Sequence, residues 1–351
     1  MRLILPISFV VLLLALILPL LLVSGPERVL PTGVAWDELG EKPQPLSKTG
    51  EHSSRLQDEE LILQVLLGEE VHEMSMAEFL EGVVAAEMPA RFHPEALRAQ
   101  AVAARTYTLH RMLVEPSPRH PEAVVCGSYA CCKAFHSPQQ LRERWGSSFD
   151  YYRAVIADAV RATDGLILFY EEEPILAAFH AASYHYTEAS GAIWGSLAYL
   201  QSVPTHESAA EVPRFYETVT MRFSEFREVA QREIPGAVLN YDSIPYWITN
   251  LRYTDSGRLS SLIIGGVTVS GPQFRRAFGL RSTALQFAFD TETLSITTGG
   301  HGHGVGMSQF GANVMANQGM DFAAILDWYY TNVTLGQMDA VLLGFLPEEA
   351  G

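Results

Sequence analysis

An uncharged run rich in Leu, Ile and Val extends from Ile4 to Val23, near the start of the 351-residue chain. As an α-helix it would be roughly 30 Å long, which is the thickness of the hydrocarbon core of a bilayer. Arg2 precedes the run, and the positive-inside rule then favours a cytoplasmic N-terminus. A cleaved signal peptide is the alternative, but the run is longer than a typical h-region and no A-x-A-like site follows it. We therefore expect residues 1–24 to form an uncleaved single-pass anchor in the cell membrane.

The remainder of the chain separates into a stalk, a globular region and a tail. Residues 25–69 contain several prolines and a polar run, which is typical of an extracytoplasmic stalk. Residues 70–340 alternate helix-like and strand-like segments and predict an α+β domain with a substrate cleft. Within it, residues 206–298 lean towards strands, with a turn at Gly265-Gly266, and predict a β-rich second lobe. Residues 341–351 are the expected tail.

The charge balance excludes one class of partner. The chain has 24 Lys and Arg against 40 Asp and Glu, so its formal net charge is −16. Proteins that bind nucleic acids neutralise phosphates with an excess of basic residues. We therefore expect no nucleic-acid partner.

A glutamate is expected at the end of the first helix of the globular region. Ser75 and Glu78 have the spacing of a capping box, so a helix should begin at Met76 and end at Met88, before Pro89. Glu87 then lies in the last turn, within an apolar run. Helix-end carbonyls and an apolar setting both raise the pKa of a carboxyl group, as a general acid requires. The alternative is a structural glutamate, exposed or paired with an arginine.

A second helix is predicted to begin at Pro94 and to continue through Tyr107. Arg105 lies there among small and apolar residues, where an unpaired cation is costly, so a carboxylate or an anionic ligand is expected beside it. Glu87 is one available partner. Such a pair would lower the pKa of Glu87 and would oppose its use as an acid.

All three cysteines fall in one short segment that also contains histidines. His120, Cys126, Cys131, Cys132 and His136 lie within seventeen positions. Thiolates and imidazoles together can form a closed tetrahedral zinc site, although the spacing is not that of a standard zinc finger. The alternative is a disulfide from Cys126 to Cys131 or Cys132, which an extracytoplasmic location allows. In either case the role is structural.

The ordered blocks of residues 70–340 closely resemble the stage II sporulation protein D family. The matching segments are 81–89, 95–106, Ala162-Thr163-Asp164-Gly165, Phe179-His180, Trp194-Gly195, 302–312 and 325–335. The resemblance implies a membrane-anchored lytic transglycosylase that cuts peptidoglycan between N-acetylmuramic acid and N-acetylglucosamine during engulfment in sporulation. It implies glycan strands stripped of stem peptides as substrate, the amidase stage II sporulation protein P and the scaffold stage II sporulation protein M as partners, and a catalytic domain outside the cell membrane.

The resemblance also assigns roles to individual residues. Glu87 would be the catalytic acid and then the base. The family positions implicated in the active site correspond to Arg98 (where Lys is more usual), Gln100 and Arg105. Apart from the resemblance, we expect further substrate contacts from Ser183, His303, Ser308 and Gln309, of which the last two follow the glycine-histidine segment of residues 301–306. Family members that hold zinc in the cysteine segment imply ligands at His120, Cys126 and Cys132, with Cys131 or His136 as the fourth.

The segment from His301 to Gly306 is rich in glycine, so its backbone can come close to a ligand and form a wall of the expected cleft. His303 in this segment is expected to contact a sugar or Glu87. The family usually has Gly-Gly where this chain has Tyr184-His185. If those glycines let a glycan strand pass close to the backbone, the side chains of Tyr184 and His185 alter the path of that glycan.

Relatives of this domain have been described as amidase enhancers, so a non-catalytic wall-binding module is the alternative function.

Overall fold

The computed structural model describes residues 56–342. The expected membrane anchor, most of the expected stalk and the residues from 343 onward lie outside this range. Within residues 56–342, no helix is both long enough and apolar enough to cross a membrane.

The described residues form a mixed α+β fold, as predicted. The strands are β1 Ile62–Leu67, β2 Glu70–Ser75, β3 Val125–Cys126, β4 Leu166–Tyr170, β5 Glu173–Pro174, β6 Phe179–His180, β7 Tyr216–Arg222, β8 Ile248–Tyr253, β9 Leu259–Ile264, β10 Val267–Ser270, β11 Leu285–Phe289, β12 Thr293–Gly299, β13 Met307–Ser308 and β14 Thr334–Gln337. The α-helices are α1 Met76–Glu87, α2 Pro94–Leu113, α3 Pro138–Trp145, α4 Phe149–Ala162, α5 Phe223–Glu233, α6 Gly271–Ala277, α7 Gln309–Asn317, α8 Phe322–Tyr329 and α9 Asp339–Leu342.

The predicted starts of the first two helices are confirmed, and the first helix ends within one residue of its predicted end. Helix α1 begins at Met76, and the Ser75 side chain accepts a hydrogen bond from the Glu78 N–H at 3.2 Å. It ends at Glu87 because Met88, which precedes a proline, has an extended backbone. Helix α2 begins at the predicted proline and continues beyond the predicted end to Leu113. Its alanines are buried and allow α1, α4, α7 and α8 to pack closely around it.

Short strands connect the segments that carry the candidate site residues. Strand β1 pairs antiparallel with β2 and parallel with β3, which places Cys126 beside Leu66. Strands β6 and β13 pair in parallel, so His180 lies opposite Ser308. Strand β4 lies between β14 and β5. The central segment around residue 180 and the glycine-histidine segment are thus adjacent in the fold.

The β-rich part of the chain has a hydrophobic core of its own. Two antiparallel three-stranded sheets, ordered β10-β9-β8 and β11-β12-β7, pack with α5 and α6 around Phe226, Trp247 and Phe274. The predicted turn at Gly265-Gly266 joins β9 to β10. Both of its glycines have positive φ, 52° and 88°, as a tight two-residue hairpin turn requires.

Candidate active site

Glu87 is the half-buried last residue of α1, and two uncharged groups hold its carboxylate. Its Oε1 accepts a hydrogen bond from the Ala134 N–H at 3.2 Å. Its Oε2 accepts one from Gln309 Nε2 at 3.1 Å, and that amide also lies 3.4 Å from Gln100 Oε1. The structure therefore brings together Glu87 and two of the residues expected at the site, Gln100 and Gln309.

A buried lysine supplies the positive charge near Glu87. The Nζ of Lys133 lies 3.6 Å from the centre of the Phe179 ring and 4.2 Å from that of Tyr107. Burial lowers the pKa of Lys133 to about 8, and the negative charge of Glu87 opposes this shift. A cation enclosed by two aromatic faces gives the site a fixed positive charge that little water screens.

His303 lies near enough to Lys133 to feel its charge. Its ring packs against those of His180 and Trp194, at centroid distances of 5.7 and 5.1 Å, and its Nδ1 accepts a hydrogen bond from the Val305 N–H. Burial lowers the pKa of His303 to about 3, and the charge of Lys133 adds to the effect. The ring is therefore neutral at physiological pH. No hydrogen bond among residues 56–342 joins it to Glu87, and its expected contact with a sugar stays a prediction.

The glycines of this segment allow close approach to other parts of the chain. A Cβ at Gly304 would lie 2.5 Å from the guanidinium carbon of the buried Arg258, and one at Gly306 would clash with the Ala178 carbonyl. Both have positive φ, 88° and 71°. At these two positions the close approach is to groups of the protein itself, and the predicted approach of this backbone to a ligand stays a prediction.

Three consecutive residues attach the cysteine segment to α1. The Ala134 N–H bonds to Glu87, the Phe135 ring occupies the space where a Cβ on Gly82 would stand, and the His136 N–H donates to the Gly82 carbonyl at 3.2 Å. Phe135 also stacks on Phe79 of the same helix. We call residues 134–136 the strap, and it fixes one side of the Glu87 carboxylate.

Ser183 and Ser308 do not line an open surface. Both have 0% exposed area, and both donate to the buried Glu207: Ser183 through its N–H at 2.7 Å to Oε1, and Ser308 through its hydroxyl. The Ser183 hydroxyl also lies 2.5 Å from His180 Nε2. Burial raises the pKa of Glu207, which these hydrogen bonds oppose. The two serines connect the central segment to β13 and α7, and their hydroxyls would have to become exposed to contact a sugar.

Arg105 has the carboxylate partner that its setting predicts, but that partner is Asp58 and not Glu87. Its side chain is 0% exposed, with Nε 2.8 Å from Asp58 Oδ1 and Nη2 2.5 Å from Oδ2. The remaining donors reach the carbonyls of Leu166 and Val160. The suggested Arg105–Glu87 pair is therefore wrong, because both ends of the guanidinium are already engaged on the far side of α2.

Arg98 is likewise engaged away from Glu87. It pairs with Glu95 one turn earlier on α2, at 2.5 Å, and lies 3.9 Å from Asp158 on α4. None of the hydrogen bonds or ion pairs of the described region joins Arg98 to Glu87.

The cysteine segment folds into a cluster that can hold a metal ion such as zinc. The ligand atoms of His120, Cys126, Cys131 and Cys132 all lie within 4.8 Å of one another. The His120 Nδ1 lies 2.9 Å from the Ala123 carbonyl, which leaves Nε2 directed at the cluster, 3.2 Å from Cys132 Sγ. One imidazole and three thiols are a donor set that suits structural zinc, and a backbone carbonyl orients the imidazole.

The structure of the cluster bears on two questions that the sequence left open: whether the cysteines form a disulfide, and whether Cys131 or His136 is the fourth ligand. All three cysteines are free, so the structure contains none of the disulfides considered. His136 belongs to the strap, and its Nδ1 lies 3.2 Å from Arg144 Nη1. The fourth member of the cluster is therefore Cys131 rather than His136.

Comparisons with known proteins show the family to which the chain belongs. The SpoIID family, described as "Stage II sporulation protein", matches residues 68–170. Stage II sporulation protein D of Bacillus subtilis (strain 168) is 34% identical over 280 residues, covering 80% of this chain and 79% of that protein. The protein of the same name from Bacillus amyloliquefaciens has the same identity and coverage. This chain belongs to the stage II sporulation protein D family. A protein named amidase enhancer from Bacillus subtilis (strain 168) is 27% identical over 73% of this chain and 40% of its own length.

Tyr184 and His185, where the resemblance leads us to expect Gly-Gly, both have visible structural consequences. His185 has φ 61°, in the left-handed region that favours glycine. The Tyr184 ring occupies the space above Gly299, where a Cβ would clash with it, and packs near Phe215 and Tyr216. The bulky side chain therefore closes one gap and forms part of an aromatic surface.

Three important residues at or near the site were not predicted from the sequence. Asp58 and Glu207 lie in segments without a motif, and only the fold brings them to Arg105 and Ser308. Lys133, in contrast, could have been noticed from the amino-acid composition. The chain has lysines only at positions 42, 48 and 133 and uses arginine at every other basic position, so a single lysine beside the cysteine cluster is a marked exception.

Proposed function

We propose that this member of the stage II sporulation protein D family is a lytic transglycosylase with Glu87 as its acid and base. The substrate would be peptidoglycan glycan strands without stem peptides, cut between N-acetylmuramic acid and N-acetylglucosamine. The observation that carries the proposal is the set of contacts around Glu87: two neutral donors on its carboxylate and the buried cation of Lys133 nearby.

The proposed reaction needs only one carboxyl group. Protonated Glu87 gives its proton to the glycosidic oxygen, and the bond from that oxygen to C1 of the muramic acid breaks. The 6-hydroxyl of the same sugar then attacks C1, and its proton passes to the Glu87 carboxylate, which restores the acid. No water is consumed, and the product carries a 1,6-anhydro end. A hydrolytic glycosidase would usually need a second carboxyl group for water or for a covalent intermediate.

The neighbours of Glu87 fix its orientation and stabilise the negative charge that remains after it gives up its proton. The Ala134 N–H and the Gln309 amide fix the carboxylate in one orientation, so its proton is delivered along one direction. The Gln100 Nε2 has no hydrogen-bond partner among the described residues, but Gln100 is 0% exposed, so this donor would have to become exposed to contact a sugar oxygen. Lys133 compensates the negative charge that Glu87 acquires after it gives up its proton.

The cellular setting is part of the same proposal. The apolar run Ile4–Val23 would anchor the chain in the cell membrane as a single-pass helix, with the catalytic domain outside. The protein would act at the engulfing membrane during sporulation, after stage II sporulation protein P has removed stem peptides and with stage II sporulation protein M as scaffold. The zinc cluster would have a structural role, since four protein ligands leave no open position on the ion.

The test is mass spectrometry of the products from purified, peptide-free glycan strands. The full-length chain should release 1,6-anhydro ends, and Glu87→Gln should lower the rate by about 10²–10⁴-fold. Glu81→Gln is the matched control, because Glu81 lies on the same helix but pairs with Arg153. Reducing ends in place of anhydro ends would mean hydrolysis and would refute the lytic mechanism.

A second candidate is supported by the relative named amidase enhancer. In that case the chain would bind the wall without cutting it. If both the unmodified chain and Glu87→Gln bind glycan strands equally and neither produces new ends, the non-catalytic function replaces the first.

A further inference from the structure

A pocket of about 240 Å³ lies where the second lobe meets the segment that follows β6. Three tyrosines line it: Tyr184 from that segment, Tyr216 from β7 and Tyr253 from β8. Tyr216 and Tyr253 are 52% and 48% exposed, so much of each ring faces solvent. The rings of Tyr184 and Tyr216 lie edge to face, with centroids 6.0 Å apart.

The polar groups of the pocket are uncharged. Gln286 and Thr297 lie in its wall, and none of the described residues that line it carries a charge. The Gln286 side chain is exposed and makes no hydrogen bond to the described residues, so its amide can donate and accept freely. The Thr297 hydroxyl is paired with that of Thr218 at 2.8 Å, and each oxygen keeps a lone pair for a ligand.

Aromatic rings together with uncharged polar groups favour an uncharged ligand that has a ring and hydroxyl groups. Aromatic faces pack against flat, partly apolar rings, and a few amide and hydroxyl groups orient a ligand that carries hydroxyls. A ligand with a net charge would lose hydration here without gaining a partner. The volume is below the roughly 300 Å³ at which drug-sized ligand pockets begin, so the pocket accommodates one small ring.

The pocket is connected to the candidate active site by a short stretch of backbone. Gly299 forms part of its wall, and His303 follows four residues later, so their Cα atoms are at most ~14 Å apart. The charge of Lys133 acts on both His303 and Glu87, which places the pocket and Glu87 in the same part of the molecule.

We propose that Tyr184, Tyr216 and Tyr253 form a binding subsite for an uncharged N-acetylhexosamine unit of the glycan strand, away from the bond at Glu87. The inference rests on the proposed function for the identity of the polymer. The uncharged lining favours the N-acetylglucosamine units, because the lactyl carboxylate of muramic acid finds no cation there.

The test measures binding of chitotetraose, an uncharged oligomer of N-acetylglucosamine, to the full-length chain by titration calorimetry. Tyr216→Ala and Tyr253→Ala should each weaken binding about ten-fold, whereas Tyr253→Phe should retain it. Tyr246→Ala is the matched control, since Tyr246 is 76% exposed on the same lobe but outside the pocket. Unchanged affinity in both alanine variants, or no binding by the unmodified chain, would overturn the proposal.

Cleavage assays separate this proposal from the lytic function. If the two alanine variants lose chitotetraose binding while no protein cuts strands, the subsite stands and the lytic function fails. If Glu87→Gln abolishes cleavage but the alanine variants keep the unmodified KM on long strands, the subsite fails alone. The subsite predicts a higher KM with little change in kcat for Tyr216→Ala and Tyr253→Ala, and retained chitotetraose binding by Glu87→Gln.

Discussion

Replacing Asp58 by Asn should strongly destabilise the protein, because it leaves a buried cation without its charge partner. The Asp58 carboxylate accepts from Nε and Nη2 of Arg105, and the two side chains are 3% and 0% exposed. Removing one partner of such a pair costs about 3–5 kcal/mol. For a domain of this size that corresponds to a fall of roughly 10 °C in the melting temperature.

The assay is thermal unfolding by calorimetry, combined with kcat and KM on peptide-free strands. Asp158→Asn is the matched control, since Asp158 faces Arg98 at 3.9 Å with 61% of its side chain exposed. Its loss should cost less than about 1 kcal/mol. The double variant Asp58→Leu with Arg105→Met should recover most of the stability, because apolar residues of similar size can replace a buried pair.

The outcome decides whether Arg105 is structural or contacts substrate. A double variant that folds as stably as the unmodified chain and cleaves with normal kcat and KM would confirm a structural role. If it folds normally but cleaves 100-fold more slowly, Arg105 acts on the substrate and the reasoning from burial is refuted. A melting temperature for Asp58→Asn equal to that of the control would also refute it.

Three further predictions concern the metal cluster, acid stability and the buried lysine. Cys131→Ser should lower the zinc content measured by elemental analysis while His136→Asn keeps it, and equal losses would contradict the assignment of the fourth ligand. Because the folded state holds the pKa of His303 near 3, below its usual value of about 6.5, the free energy of unfolding should fall as pH drops below 6.5. Denaturant titrations of His303→Asn should show a weaker pH dependence, and an unchanged slope would assign the effect to other groups. Lys133→Met should lower kcat about 10²-fold with little change in melting temperature, and an unchanged kcat would remove Lys133 from the mechanism.

Local signals predicted the parts of the fold that depend on neighbouring residues. The limits of α1 could be predicted from the sequence because Ser75 caps its first turn and Pro89 prevents its continuation. The hairpin at Gly265-Gly266 could be predicted because two adjacent residues with left-handed backbone conformations are usually glycines. These features involve contacts within a few residues, where spacing in the sequence and distance in space agree.

The contacts that complete the site cross long stretches of chain, and spacing does not encode them. Arg105 clearly needed a carboxylate, but the choice of Asp58, forty-seven positions earlier, depends on how residues 56–61 pack beside α2 and α4. Glu87 and Gln309 are separated by 222 positions, and the resemblance placed them in one site through separate motifs. Elementary electrostatics thus predicted the kind of partner, and only the fold could identify it.

In the proposed mechanism, the strap would let a metal ion bound at the cysteine cluster affect the orientation of Glu87 without touching the substrate. Cys132 belongs to the cluster, and Ala134, two residues later, supplies one of the two hydrogen bonds to the Glu87 carboxylate. The strap is held at one end by the cluster and at the other by Gly82, whose missing side chain makes room for Phe135. Loss of either attachment would free the Ala134 N–H and leave Gln309 alone to orient Glu87. The geometry of the acid therefore depends on the cysteine segment as much as on the helix that carries it.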